Sequence, residues 1–166
     1  MAFNNVPGSI GKARSDSPGV AWLDDDALTA ISDCRNQVDM VTVLVNWGTE
    51  YTHVPRLHER RMARAMIRAG ATLVVGDQAH WVQAHESIGD AHVSYGLGNY
   101  IFDQHWSKKT TQGLIQQFIL DGTRLVAIHT IPIHLRPDGS VHPVPVTSQE
   151  YADIMDDYYT DLPSGL

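Results

Sequence analysis

MVTVLVNWGTEY, residues 40–51, decides the fold. MVTVLVN (40–46) is an unbroken apolar, β-branched run of strand length. Such runs suggest strands covered on both faces, as in parallel sheets. The run stops at polar Asn46, turns through Trp47-Gly48 and reaches Glu50. A strand of this kind delivers side chains to the mouth at its carboxyl end.

The flanking segments extend the pattern. Asp24, Asp25 and Asp26 precede apolar positions at Ala27, Ile31, Cys34 and Val38, which predicts a helix over 25–37. Pro55 suits the first turn of a second helix, with Met62, Ala65, Met66 and Ala69 as its buried stripe and Gly70 as its stop. ATLVVG (71–76) and HVSYGLGN (92–99) read as further strands. GLIQQFIL (113–120), Asp121-Gly122 and RLVAIHTIPI (124–133) read as a hairpin with a strong turn signal. Ser148 caps a last helical patch, SQEYADIMDDYY. The fold class is α/β, a mixed sheet of parallel strands plus a C-terminal β-hairpin, with helices packed on the sheet. Residues 1–166 read as a single domain, with a loop-rich segment at 1–20 and a tail at 146–166.

The net charge is −7 with nine histidines uncounted, which argues against a nucleic-acid surface. Cys34 is the single cysteine, so no internal disulfide can form, and its helical spacing with Leu28 and Ile31 predicts a buried thiol. No stretch approaches the ~18 apolar residues of a membrane span. The N-terminus lacks a charged region followed by an apolar run, so no signal peptide is expected and the cytoplasm is the default compartment.

Three strand tips gather the polar chemistry. The first carries Asn46, Trp47, Glu50 and His53, the second Asp77, Gln78 and His80, and the third Asn99, Asp103 and His105. Carboxylates, amides and imidazoles converging in this way can bind a divalent metal. Each residue also has a plain alternative. His80 and His53 can cap or hydrogen-bond at turns, and Glu50 can serve as a cap or pair with the arginine-rich helix. His58 reads as a half-buried packing residue. Arg56, Arg60, Arg64 and Arg68 recur every four residues, the pattern of a solvated helix face or of a surface for an anionic ligand. His129, His134 and His142 read as surface residues. There is no nucleophile elbow and no glycine-rich phosphate cradle.

NWGTEY (46–51), AGATLVVGDQAHWVQ (69–83) and YGLGNYIFDQ (95–104) together resemble the CapA family of capsule biosynthesis, linked to poly-γ-glutamate. That family is similar to the calcineurin-like metallophosphatases, which implies a layered metallophosphatase-like fold. Trp47, Gly48, Glu50, Tyr51, Gly76, His80, Gln83, Leu97, Gly98, Asn99 and Asp103 match the family pattern. Asn46 stands where the family has a histidine, Gln78 replaces the first histidine of a paired motif, and Ala79 replaces a proline. The resemblance is to the C-terminal half of a family member, so the chain is expected to be truncated at its N-terminus.

The resemblance implies a metal-dependent phosphoester hydrolase with a site rebuilt at the strand tips. Zn or Mn would be held by His80, Glu50 and His53. Asp77 and Asn46 would stand at the catalytic positions, and Asn99, Gln78 and Arg56 would bind a small phosphoester substrate. A catalytically inactive half-domain, acting as a dimerising or interaction module, is the competing expectation. Loss of the first half would leave the strand at 40–46 with a bare edge or apolar face, which predicts a homodimer. In that dimer the arginine face of one chain would meet the acidic 152–161 stretch of another. Binding of an acidic polymer to the arginine stripe is a weaker third expectation, opposed by the net charge.

Overall fold

A computed structural model describes residues 1–8 and 11–164 of the chain. Five strands form one sheet in the order β1-β2-β3-β5-β4, comprising β1 (Ala2–Asn4), β2 (Thr42–Asn46), β3 (Leu73–Asp77), β4 (His85–Ile88) and β5 (Ala91–Ser94). β1, β2, β3 and β5 run parallel, and β4 closes the far edge antiparallel to β5. A second, antiparallel sheet contains β6 (Gln112–Asp121), β7 (Arg124–Leu135) and β8 (Val141–Pro143). Three helices complete the α/β architecture, namely α1 (Asp25–Arg35), α2 (Leu57–Arg68) and α3 (Gln149–Tyr158). None of the described helices is long and apolar enough to cross a membrane.

Local chemistry accounts for most of these boundaries. The Asp24 carboxylate accepts from the Ala27 N–H and starts α1, and the Ser148 hydroxyl accepts from the Tyr151 N–H and starts α3. Gly70, at φ +112°, takes the left-handed position that follows α2. Pro55 lies one residue outside the helix rather than in its first turn, because Arg56 is the N-cap. Gly122, at φ +61°, follows Asp121 in the tight β6–β7 connection.

β2 alternates. Val43 and Val45 pack with Val74 and Val93 against Ala27 and Ile31 of α1 and Ala63 and Met66 of α2. Leu44 points to the other face and remains 53% exposed. The unbroken apolar run therefore does not mean that both faces are covered. Leu44 and Val75 instead floor a groove of about 540 Å³, with Leu114 and Ile115 of the second sheet on its far wall. The expected bare edge of β2 is covered, since β1 pairs along it and the Met1 amino group donates to the Thr42 carbonyl. What remains open is the apolar face.

Several expectations are corrected. Within the loop-rich segment 1–20, Ala2–Asn4 forms a strand. The third predicted strand ends at Ser94, and its antiparallel neighbour β4 carries no clear alternation in sequence. The buried side of α2 runs through Glu59, Arg60, Ala63 and Met66, with Met62 and Ala65 only half-buried. Arg60 and Arg64 thus leave the solvated stripe and reach Glu86 on β4. Arg60 also donates to the Pro163 carbonyl of its own chain. Asp153 and Asp157 pair with Lys108 and Lys109, again within the chain. His58 is exposed and bonded to Asn5 rather than packed. Cys34 is half-buried against the first core. His134 and His142 are also half-buried, bonded to Glu150 and Ser140 respectively.

Gly76 and Gly98 fix the junctions. A Cβ on Gly76 would lie 2.2 Å from both the Trp47 indole nitrogen and the Tyr95 carbonyl, two groups that bond to each other at 3.0 Å. Gly98, at φ +72°, lets the chain pass within contact of the Gln112 carbonyl, where the Leu114 N–H donates to the Leu97 carbonyl and joins the two sheets.

Candidate functional site

The parallel register sets the ends of β1, β2 and β3 side by side. Asn4 pairs with Asn46, and Asn46 pairs with Asp77. Beyond them lies a cleft of about 830 Å³ whose polar lining is Asn46, Asp77, Gln78, His80 and Asn99. Tyr100, Ile101 and Phe102 form its apolar wall. The structure therefore brings together five of the eight residues expected at the site.

The other three stand apart from the lining. Glu50 is exposed and accepts from the Gln78 amide at 3.0 Å, so it touches the cleft only through Gln78. His53 donates from Nδ1 to the Val82 carbonyl at 2.8 Å, has Asp157 at 3.4 Å and stacks on Trp81. Arg56 is the exposed N-cap of α2. Asp103 and His105 line a different depression with Leu135.

The backbone around the cleft is strained. Tyr51, Gln78 and His80 have φ values of 61°, 91° and 57°, and they are the positive-φ non-glycine residues of the described chain. Such conformations cost about 1–3 kcal/mol each and persist where surrounding contacts impose them. Here the Tyr51 N–H donates to the Ala79 carbonyl, tying the β2 loop to the β3 loop. The Tyr51 ring stacks 5.8 Å from His80, and Phe102 flanks the imidazole at 5.0 Å.

Hydrogen bonding assigns the tautomer of His80. Asn99 is buried, and its Nδ2 donates to the Thr110 carbonyl at 2.9 Å. That bond orients the amide so that Oδ1 accepts from His80 Nδ1, also at 2.9 Å. In the neutral ring the proton therefore sits on Nδ1, and Nε2 carries the lone pair. An imidazole oriented in this way is a ready metal ligand or proton acceptor. Asn46 Nδ2 is engaged by Asn4 Oδ1 at 3.1 Å, and Gln78 Nε2 by Glu50. With those donors committed, the cleft is rich in acceptors. Burial raises the Asp77 carboxyl above its ordinary range, opposed by His80 and by the backbone N–H of Gln78.

Among the described residues, no three or more His, Cys, Asp or Glu side chains form a group that could hold a metal. Catalytic zinc sites use three protein ligands and structural sites four. Among the described residues, His80 and Asp77 therefore have no third side chain of these types grouped with them.

The family profile described as "Bacterial capsule synthesis protein PGA_cap" matches residues 5–104. This chain belongs to that capsule-synthesis family. It is 33% identical over 136 residues to the PGA biosynthesis protein CapA of Bacillus subtilis (strain 168), covering 81% of this chain and 36% of that protein. It is 32% identical over 149 residues to the capsule biosynthesis protein CapA of Bacillus anthracis, covering 86% of this chain and 34% of that protein. The CapA-like chain thus spans about a third of the length of the curated relatives it matches.

Two placements escaped the sequence reading, one at the site and one behind the loop that follows β2. Asn4, which holds Asn46, lies in a three-residue strand inside a segment rich in turn residues. Glu59 is buried on α2 with its Cγ close under Gly48, and among the described residues its Oε2 has no hydrogen-bond partner. A carboxylate among arginines on a helix reads as a solvated charge, so nothing in the sequence marks it.

Proposed function

We propose that the strand-tip cleft is one part of a metal-dependent phosphoester-hydrolysing centre. His80 Nε2 and Asp77 are the donors this chain would contribute toward Zn or Mn, and the other ligands come from a second copy of the chain. The metal would polarise a phosphoryl oxygen and supply a hydroxide near neutral pH. This chain's own part is narrower. Asn99 holds the His80 tautomer, Asn46 and Gln78 present amide oxygens, and Tyr100 to Phe102 give a small phosphoester an apolar wall. The observation that supports this reading is the His80–Asn99 bond, which leaves one imidazole lone pair in an acceptor-rich cleft.

Metal content per chain by plasma mass spectrometry tests it, with wild type beside His80→Ala and with the assembly state followed by size exclusion. The reading predicts metal retained by an assembled species, lost in the variant, and p-nitrophenyl phosphoester hydrolysis that follows the metal. Metal-free protein without hydrolysis in the presence of added Zn²⁺ or Mn²⁺ would refute it.

A second reading has its own support. The apolar groove floored by Leu44 and Val75 suits a non-catalytic module that dimerises or docks on another chain through this face. The replacement of two family histidines by Asn46 and Gln78 points the same way. Assembly without metal or turnover is the outcome that selects it.

A further inference from the structure

A second cleft, of about 420 Å³, lies between α2, β4 and the terminal segment 159–164. It shares no lining residue with the strand-tip cleft. Arg60, Arg64, His85 and Glu86 form one side, and the chain from Tyr159 to Ser164 forms the other.

The charge balance there is incomplete. Arg60 is 7% exposed, so its guanidinium is withdrawn from water. Its Nη1 donates to the neutral Pro163 carbonyl at 2.7 Å, and its Nη2 lies 3.9 Å from Glu86. Arg64 takes the better share of that carboxylate, at 2.5 Å. Burial works against ionisation of Glu86, but Arg64 and the Tyr95 hydroxyl hold its pKa below the ordinary range. Two guanidiniums therefore face one carboxylate that is already shared. Among the described residues, Arg60 Nε, Arg64 Nη1 and His85 Nδ1 are buried without a hydrogen-bond partner. Asp161, also in the lining, is exposed and forms no ion pair among the described residues. A buried guanidinium with unfilled donors is costly to keep, and the group that satisfies it is an oxyanion taken in the fork of its N–H bonds.

We propose that this cleft is a binding site for a small oxyanion, a phosphate or a carboxylate, held by Arg60 and Arg64. The terminal segment is its cover. The Pro163 carbonyl occupies an arginine donor that an anionic oxygen would take with a charge-assisted bond, so the ligand competes with the cover and loosens it. This inference is independent of the strand-tip reading, because neither Arg60 nor Arg64 lines that cleft.

The test titrates the intact chain with inorganic phosphate, acetate and chloride at matched ionic strength. It follows the thermal midpoint and hydrogen exchange of segment 159–164. The site predicts a saturable rise in midpoint with phosphate or acetate but not chloride, together with faster exchange in that segment. The anion that gives the rise identifies the ligand class. Arg64→Lys keeps the charge but loses the fork, and should weaken the apparent affinity about tenfold or more. Should Arg60→Lys fail to fold, the wild-type titration and Arg64→Lys still decide. Equal response to chloride, no saturation, or undiminished phosphate binding in Arg64→Lys would each overturn the site.

Discussion

Acidification should unlock the join between the two sheets, and His92 sets the pH at which it happens. His92 is buried on β5, within 3.1 Å of the Ser94 hydroxyl. His85 of β4, Phe118 of β6 and Tyr158 of α3 pack around it. Ser94 donates in turn to Gln116 of β6 at 2.7 Å, and Gln116 donates to Tyr158 at 2.8 Å. Burial, and then the neighbouring His85, push the His92 pKa down to about 4 from 6.5. Above pH 6.5 neither the folded nor the unfolded chain protonates this ring, and the native state has its full stability. Between 6.5 and about 4 the unfolded chain takes up a proton that the native state refuses, so stability falls as pH falls. Below about 4 both states are protonated and this contribution levels off. At about 1.4 kcal/mol for each tenfold difference in proton affinity, the whole loss is about 3 kcal/mol. Roughly 2 kcal/mol of it falls between pH 6.5 and 5, before the ion-paired carboxylates begin to titrate. Urea unfolding followed by tryptophan fluorescence measures the slope, with His92→Asn as the control that cannot titrate. Burial also lowers the His85 pKa, so its contribution has the same sign, and it remains in the control. Wild type should lose about 2 kcal/mol more than His92→Asn over that window. Parallel lines for the two proteins would refute the reasoning.

Three further outcomes follow from particular contacts. Gly76→Ala places a methyl group 2.2 Å from the Trp47 nitrogen and the Tyr95 carbonyl, and should cost about 2–4 kcal/mol in urea unfolding, with a shifted Trp47 emission as the local sign. Asn99→Ala removes the acceptor that fixes His80, so the ¹⁵N shifts of that imidazole should move from one tautomer toward a mixture while the far-ultraviolet spectrum is retained. Leu44→Lys adds a charge to an open face, and should change monomer stability by less than about 1 kcal/mol while weakening any self-association seen by sedimentation.

The sequence was most legible where one local rule governs. First-turn acids, one hydroxyl cap, one hairpin turn and two β-branched runs placed α1, α3, β6, β7, β2 and β3 close to their observed bounds. It was least legible where a distant partner decides. β1 is three residues long and exists because β2 offers it an edge, and β4 exists because β5 does. The arginines of α2 show the same effect. Their spacing fits a solvated face, yet Glu86 and Pro163, far along the chain, draw Arg60 and Arg64 inward, and long aliphatic stems let a charged residue pack there.

Residue identity at the candidate site was visible in the sequence, but residue role depended on the third dimension. His53 lies only two residues from Tyr51, which stacks on His80, yet its ring bonds to the Val82 carbonyl and rests against Trp81, away from the cleft lining. Asn99, read as a substrate contact, lines the cleft and also orients His80. Asn46, expected at the family's histidine position, has its amide tied laterally to Asn4. Such a bond suits an amide pair at neighbouring strand ends better than it suits a ligand aimed at a metal. The Asn46 amide thus fastens the tip of β2 to β1. The same N-terminal strand covers the edge of β2 and leaves its Leu44 face open. Both features lie on β2: its tip is bonded to β1, and its Leu44 face stays open as the floor of the apolar groove.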